Sequence, residues 1–151
     1  MKSLQEEIQQ RKWQNDQQLA LVNVLFTYHW LKDRMSDALK PYKITMQQYN
    51  VLRILRGSHP KGMAAARIRE GLLDKTSDVS RLLDRLEKLN FVERQNSPED
   101  KRVTEIFLTL RGLEILGQIR SVDKLHKEHL PKVLSDEDAQ LLSALLDKMR
   151  G

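Results

Sequence analysis

Apolar positions recur every three or four residues through most of this chain, the helical period. Residues 1–40 read as one long helix. It opens polar, with Gln at 5, 9, 10, 14, 17 and 18, and then carries two apolar stripes. One stripe is Leu19, Val22, Phe26 and Trp30; the other is Val24, Tyr28, Leu31, Met35 and Leu39. Two stripes predict burial on more than one side. Pro41 ends the helix because it cannot donate to the ladder. Such a helix spans roughly 50 Å, too long for the rest of a small chain to cover, so a second subunit is implied.

The pattern then shortens. Thr45 with Gln48 three residues on is a capping box ahead of Val51, Leu52, Ile54 and Leu55, with a stop at Gly57. A turn at residues 59–62 leads to a short helix carrying Ile68 and ending near Gly71. After a tight connection, Thr76 or Ser77 is expected to cap a third helix with Val79, Leu82, Leu83, Leu86 and Leu89 on its buried face. Two short helices across a tight turn make a helix-turn-helix unit. Residues 91–95 and 104–108 are β-prone and flank a turn-rich loop, the signature of a hairpin. Thr109 should cap a helix with Leu113, Leu116, Ile119, Val122 and Leu125, limited by Pro131. Ser135 and Asp138 cap a last helix bearing Leu141, Leu142, Leu145, Leu146 and Met149.

The expected fold is therefore all-α with a small β-ribbon. A winged helix-turn-helix at residues 45–110 lies between a dimerisation helix at 1–44 and dimerisation helices at 111–151. The length, 151 residues, suits one domain with extensions.

Composition narrows the function. There are no cysteines, so disulfides, thiolate–zinc sites and thiol redox switches are closed. That fits a reducing cytoplasm. No apolar run approaches the ~20 residues a membrane helix needs, and the first residues lack a signal-peptide core. No nucleophile–base pairing, Gly-rich phosphate loop or metal triad stands out, so neither an enzyme nor a cofactor is expected. His126 and His129 are three apart, but Glu128 is the only further ligand type nearby; they read as surface histidines. Net charge is +5, which favours a polyanionic partner. Residues 61–111 hold eleven Lys and Arg against nine Asp and Glu, a net of only +2, so any basic face must come from folding.

The chemistry concentrates at residues 75–102. Lys75, Thr76, Ser77 and Ser80 begin the third helix, where free N–H groups and the helix dipole attract phosphate and hydroxyls can reach base edges. Plain capping uses the same residue types. Arg81 and Arg85 lie one turn apart, away from the leucines; both suit DNA. Arg81 could instead pair with Asp84 or Asp78, and Arg85 with Asp100. In the loop Ser97-Pro98-Glu99-Asp100-Lys101-Arg102, Arg102 can enter a minor groove of strong negative potential, oriented by Asp100. Lys101 and Arg94 suit phosphates, although a structural salt bridge is an equal reading of Arg94. A winged-helix module that binds proteins would carry a neutral or acidic wing; Lys101 and Arg102 argue for DNA.

The run from Val79 to Lys88, then Phe91-Val92-Glu93-Arg94, Asp100-Lys101-Arg102, and Leu108-Thr109 with Gly112 resembles the MarR family of bacterial transcriptional regulators. The resemblance implies a cytoplasmic homodimer on an inverted-repeat operator, a repressor released by a small aromatic or anionic effector. It places that effector in a cleft between the dimer helices and the winged domain; His29, Trp30, Arg34 and Tyr49 are the expected lining. Two positions depart from the family pattern. Asn90 stands where Gly is usual, and both tolerate a left-handed turn. Asp78 stands where a neutral residue is common; an acid there repels phosphate but can accept from cytosine N4.

Overall fold

The computed structural model describes residues 2–96, 103–119, 122 and 124–151, with His126 described by its backbone alone. The expected long first helix is two pieces: α1 (Leu4–Glu7) and α2 (Asp16–Leu39). Asn15 is extended and takes the Gln18 N–H on its side chain at 2.8 Å. The Gln18 amide oxygen in turn accepts from Gln14 N–H at 2.8 Å. This reciprocal cap starts α2 afresh. The glutamine-rich stretch before it has no apolar stripe to dock, and short helices without tertiary support are marginal. The 24 residues of α2 therefore span only about 36 Å. Pro41 does end it, in a 3-10 turn at Lys40–Tyr42.

Helix α3 (Met46–Ser58) has the expected box: Thr45 Oγ1 accepts from Gln48 N–H, and the Gln48 side chain accepts from Thr45 N–H. It is the central helix, with Val51, Leu52 and Leu55 almost fully buried. Strand β1 (Met63–Ala64) then leads into α4 (Ala65–Gly71) and α5 (Val79–Lys88). Strands β2 (Val92–Asn96) and β3 (Thr104–Leu108) pair antiparallel, Val92 opposite Leu108 through Asn96 opposite Thr104. Sequence reading gave a two-stranded ribbon. The sheet has three strands in the order β1-β3-β2, with Met63 opposite Ile106. A two-residue strand shows no alternation to detect.

Helix α5 closes with a Schellman turn. Asn90 sits in the left-handed region at φ 56, and Phe91 N–H donates to Leu86 O while Asn90 N–H donates to Glu87 O, the pairing that defines the motif. Helix α6 (Leu110–Gln118) is pinned onto this turn. Thr109 N–H donates to Phe91 O at 3.1 Å, Thr109 Oγ1 donates to Asn90 O at 2.7 Å, and Gly112 N–H donates back to Thr109 Oγ1. A Cβ on Gly112 would lie 2.2 Å from Phe91 O. The contact explains why glycine stands three residues after the cap.

The helix expected to run from Thr109 to Pro131 stops instead at Gln118. Pro131 does not terminate a helix. It lies in the first turn of α7 (Leu130–Val133), behind a π-turn at Leu125–His129 in which Leu130 N–H donates to Leu125 O. The wider turn absorbs the donor that proline lacks. Helix α8 (Asp136–Arg150) follows, with the Ser135–Asp138 box in place. Within α8 only Leu146 is even half-buried. Leu141, Leu142, Leu145 and Met149 are all exposed, as are Leu21, Leu25, Phe26 and Tyr28 of α2. Among the described residues no helix is long and apolar enough to cross a membrane.

Candidate nucleic-acid interface

Helix α5 is the second helix of the helix-turn-helix and the most sharply two-faced element of the chain. Val79, Leu83 and Leu86 are 1%, 2% and 0% exposed. Ser80, Arg81, Asp84, Arg85 and Lys88 face solvent. The structure thus sets Ser80, Arg81 and Arg85 on one outward face, as the periodicity required. Among the described residues no carboxylate is paired with the guanidinium of Arg81 or Arg85.

The amino end of α5 differs from expectation. Neither Thr76 nor Ser77 caps it. Asp78 does, its Oδ1 accepting from Arg81 N–H at 3.2 Å. The two hydroxyls turn back to Asp74 instead: Thr76 Oγ1 donates to Oδ1 at 2.7 Å and Ser77 Oγ to Oδ2 at 3.1 Å. Thr76 N–H adds a third donor at 3.0 Å. The Thr76 hydroxyl foremost, then the Thr76 N–H and the Ser77 hydroxyl, hold the Asp74 carboxyl below the usual aspartate value. Lys75 Nζ donates to Glu70 O at the carboxyl end of α4. Hydrogen bonds within the turn thus occupy three of the groups assigned to DNA from sequence. A carboxylate that can gather three donors locally outcompetes the helix end for them.

Arg94 forms the structural salt bridge that is one of its two sequence readings. On β2 it reaches back to α5, with Nη2 2.6 Å from Asp84 Oδ1 and Nη1 on Glu87 Oε2. Burial works against its charge, but the hydrogen bonds and charges of Asp84 and Glu87 outweigh that and raise its pKa. The guanidinium staples the sheet to α5, and its donors are directed there. Arg94→Ala is expected to cost about 1 kcal/mol, the upper range for a partly exposed ion pair, and to lower the melting temperature by a few degrees. An unchanged melt would mean that the staple adds nothing. Asp100, Lys101 and Arg102 lie outside the described residues.

The expected effector lining divides. Trp30 is half-buried, with the Arg34 guanidinium 4.5 Å from its ring centroid and the His129 ring 6.3 Å away. Arg34 and His129, with Met35, Val122 and Lys132 among others, line a cavity of about 500 Å³ between α2 and the C-terminal segment. His29 is exposed and meets Tyr28 edge-on. Tyr49 is 7% exposed and belongs to the core. It packs in the core on α3 and is not among the residues that line this cavity. A second cleft of about 540 Å³, found only in the structure, runs past Tyr42, Lys43, Phe91 and Arg111. Sequence could not have joined those residues, which come from three separate elements.

A three-stranded sheet, a two-faced second helix and a β2–β3 hairpin after it define a winged helix-turn-helix protein. The family model for the MarR family matches residues 44–104. The multiple antibiotic resistance protein MarR of Escherichia coli strain K12 is 32% identical over 121 residues, covering 78% of this chain and 82% of that protein. A MarR transcription factor from Planctomyces limnophilus is 32% identical with a TM-score of 0.66, over 89% of this chain and 98% of the other. A mutant E. coli MarR solved with operator DNA is 27% identical with a TM-score of 0.70, over 98% and 99%. This chain belongs to the MarR family and is a transcriptional regulator.

Proposed function

We propose that the protein is a homodimeric repressor that binds an inverted-repeat operator and leaves it when a small aromatic or anionic molecule binds. The observation that carries the DNA reading is the outward face of α5. It is anchored by three buried aliphatic side chains and presents Ser80, Arg81, Arg85 and Lys88. A helix so placed fits the major groove, and a relative of matching fold has been solved with operator DNA. The wing would add Arg102 in the adjacent minor groove, with Asp100 orienting it and Lys101 on phosphate.

The dimer reading rests on the unpartnered apolar faces of α2 and α8. Residues 1–44 and 111–151 would then be the dimerisation segments around the DNA-binding part at 45–110. The effector reading is supported by the cavity lined by Arg34, Lys124, Lys132 and the His129 ring, with Asp37 and Glu128 also on its wall. Lacking cysteine, the protein would respond to a ligand that distinguishes two conformations, not to thiol oxidation.

A mobility shift on the duplex upstream of the protein's own gene tests the DNA reading; no salt-sensitive complex there or on any selected duplex would refute it. Arg102→Ala is expected to lower the slope of log affinity against log salt by up to ~2 per dimer, since each lost cation contributes ~0.9. Its melting temperature should hold. Asp100→Ala should weaken binding less. Unchanged affinity and slope in Arg102→Ala would move the wing out of the interface.

A further inference from the structure

The cleft past Tyr42 and Phe91 shares no lining residue with the cavity beside Arg34. Three elements build it: the 3-10 turn after α2, the turn between α5 and β2, and one stripe of α6. That stripe is Arg111, Glu114, Ile115 and Gln118, recurring at the helical period. The first element is tied to the third, since Tyr42 Oη donates to Gln118 O at 2.7 Å. Leu89, Phe91 and Ile115 supply apolar lining. The Arg111 guanidinium lies 5.7 Å from the Phe91 ring centroid and does not pair with Glu114, one helical turn away. Among the described residues neither Lys43, Arg111 nor Glu114 has an ion-pair partner. The cleft therefore sets two unpaired cations and one unpaired carboxylate around an apolar surface.

We propose that this cleft binds a free α-amino acid with an apolar side chain, its carboxylate on Arg111 and Lys43 and its ammonium on Glu114. Residues three apart on a helix have Cβ atoms ~5–6 Å apart. A carboxylate and an ammonium on one carbon can meet both side chains at once. The guanidinium suits the carboxylate because its fork takes both oxygens. A plain organic anion would satisfy Arg111 but leave the Glu114 carboxylate beside it; a plain cation would do the same with Arg111 and Lys43. A peptide amino terminus brings the ammonium without the neighbouring carboxylate. The free zwitterion answers both charges over that short distance, and its side chain lies on Leu89, Phe91 and Ile115. The volume, about 540 Å³, falls within the ~300–1,000 Å³ of small-molecule sites. The occupant touches the turn that leaves α2 and the turn that leaves α5, so it braces the winged part against the first long helix. The site is separate from the effector cavity, and the inference does not depend on the DNA reading.

The test is isothermal titration of the full-length protein with L-phenylalanine, L-leucine and L-tryptophan. Whichever binds is compared with its analogues lacking the ammonium or the carboxylate; for phenylalanine these are 3-phenylpropanoate and phenethylamine. The amino acid should bind saturably, and each analogue about 10-fold or more weakly, the loss of one charged hydrogen bond. Arg111→Gln should weaken the amino acid by a similar factor. Glu114→Gln should lose the preference for the amino acid over its ammonium-free analogue, an effect that a merely structural role would not produce. Circular dichroism melts check both variants. Glu114 is exposed, so its arm stands even if Arg111→Gln, which uncovers Phe91, fails to fold. Binding of none of the three amino acids at millimolar concentration overturns the proposal. So does equal affinity of wild type for the ammonium-free analogue, or a preference that persists in Glu114→Gln, which would put the ligand elsewhere. None of these outcomes involves an operator, so the DNA reading stands or falls separately.

Discussion

Gly112→Ala is expected to destabilise the protein by about 3 kcal/mol, although alanine is the better helix former by ~1 kcal/mol. The added Cβ would sit 2.2 Å from Phe91 O and 2.7 Å from a Leu108 methyl. The first neighbour is backbone, so it cannot swing aside. Relief requires α6 to lift from the turn that ends α5. That lengthens the Thr109 N–H bond to Phe91 O and the Thr109 hydroxyl bond to Asn90 O, each worth ~1 kcal/mol net. Overpacking adds about 1–3 kcal/mol. Even after the propensity gain the sum is a sizeable part of a typical ~5–15 kcal/mol. At ~2–4 °C per kcal/mol for a chain of this size, the melting temperature should fall by roughly 10 °C. Gly117 is the internal control. It lies in the same helix with nothing within 4 Å of its would-be Cβ, so Gly117→Ala should raise the melting temperature slightly. If Gly112→Ala also raised it, propensity would outweigh the close approach and the account of the α5–α6 junction would fail.

The second large effect concerns assembly. Leu141 and Leu145 are one turn apart on α8 and are 60% and 54% exposed in the single chain. Replacing both by Asp should leave the chain's own fold intact, since neither side chain belongs to the core. It should nonetheless abolish the proposed dimer. Interface anchors commonly contribute ~2 kcal/mol or more each, every change occurs twice in a symmetric pair, and a carboxylate buried there without a partner costs more still. Monomerisation at micromolar concentration is expected in sedimentation, with near-wild-type helicity. Operator affinity should fall by at least ~100-fold, because linked half-sites gain that much from effective concentration. A variant that remained dimeric would show that α8 is not part of the contact.

Much of this architecture was legible, because it rests on local chemistry. The Thr45–Gln48 and Ser135–Asp138 boxes, the Thr109 cap and the left-handed Asn90 are each set by residues within three or four positions of one another. So were the buried faces of α3 and α5, which follow from period alone. What escaped were places where two local preferences compete. Asn15 with Gln18 is a cap embedded in a helical pattern, and the hydrogen bonds of Gln18 with Asn15 and Gln14 start the helix afresh there. Pro131 reads as a stop, yet a π-turn accommodates it. Thr76 and Ser77 are good caps, yet Asp74 captures both hydroxyls and Asp78 takes the role. Arg94 and Tyr49 depended on tertiary contacts, with Asp84 and Glu87 in one case and the α3 core in the other. Sequence left Arg94 evenly divided and did not mark Tyr49 as a core residue for that reason. The candidate site was legible where helical period governed it, at Ser80, Arg81 and Arg85, and illegible at the turn before.

The central claim is that two copies of α5 enter successive major grooves on one face of a duplex. Hydroxyl-radical footprinting of the protein on its upstream region, or on a selected duplex, tests it most directly. The account predicts two protected stretches related by a dyad, with half-site centres about one helical turn, ~10 bp, apart, both lost together in the paired variant Arg81→Ala with Arg85→Ala. A single asymmetric footprint, or a symmetric one unaffected by losing both arginines, would contradict it.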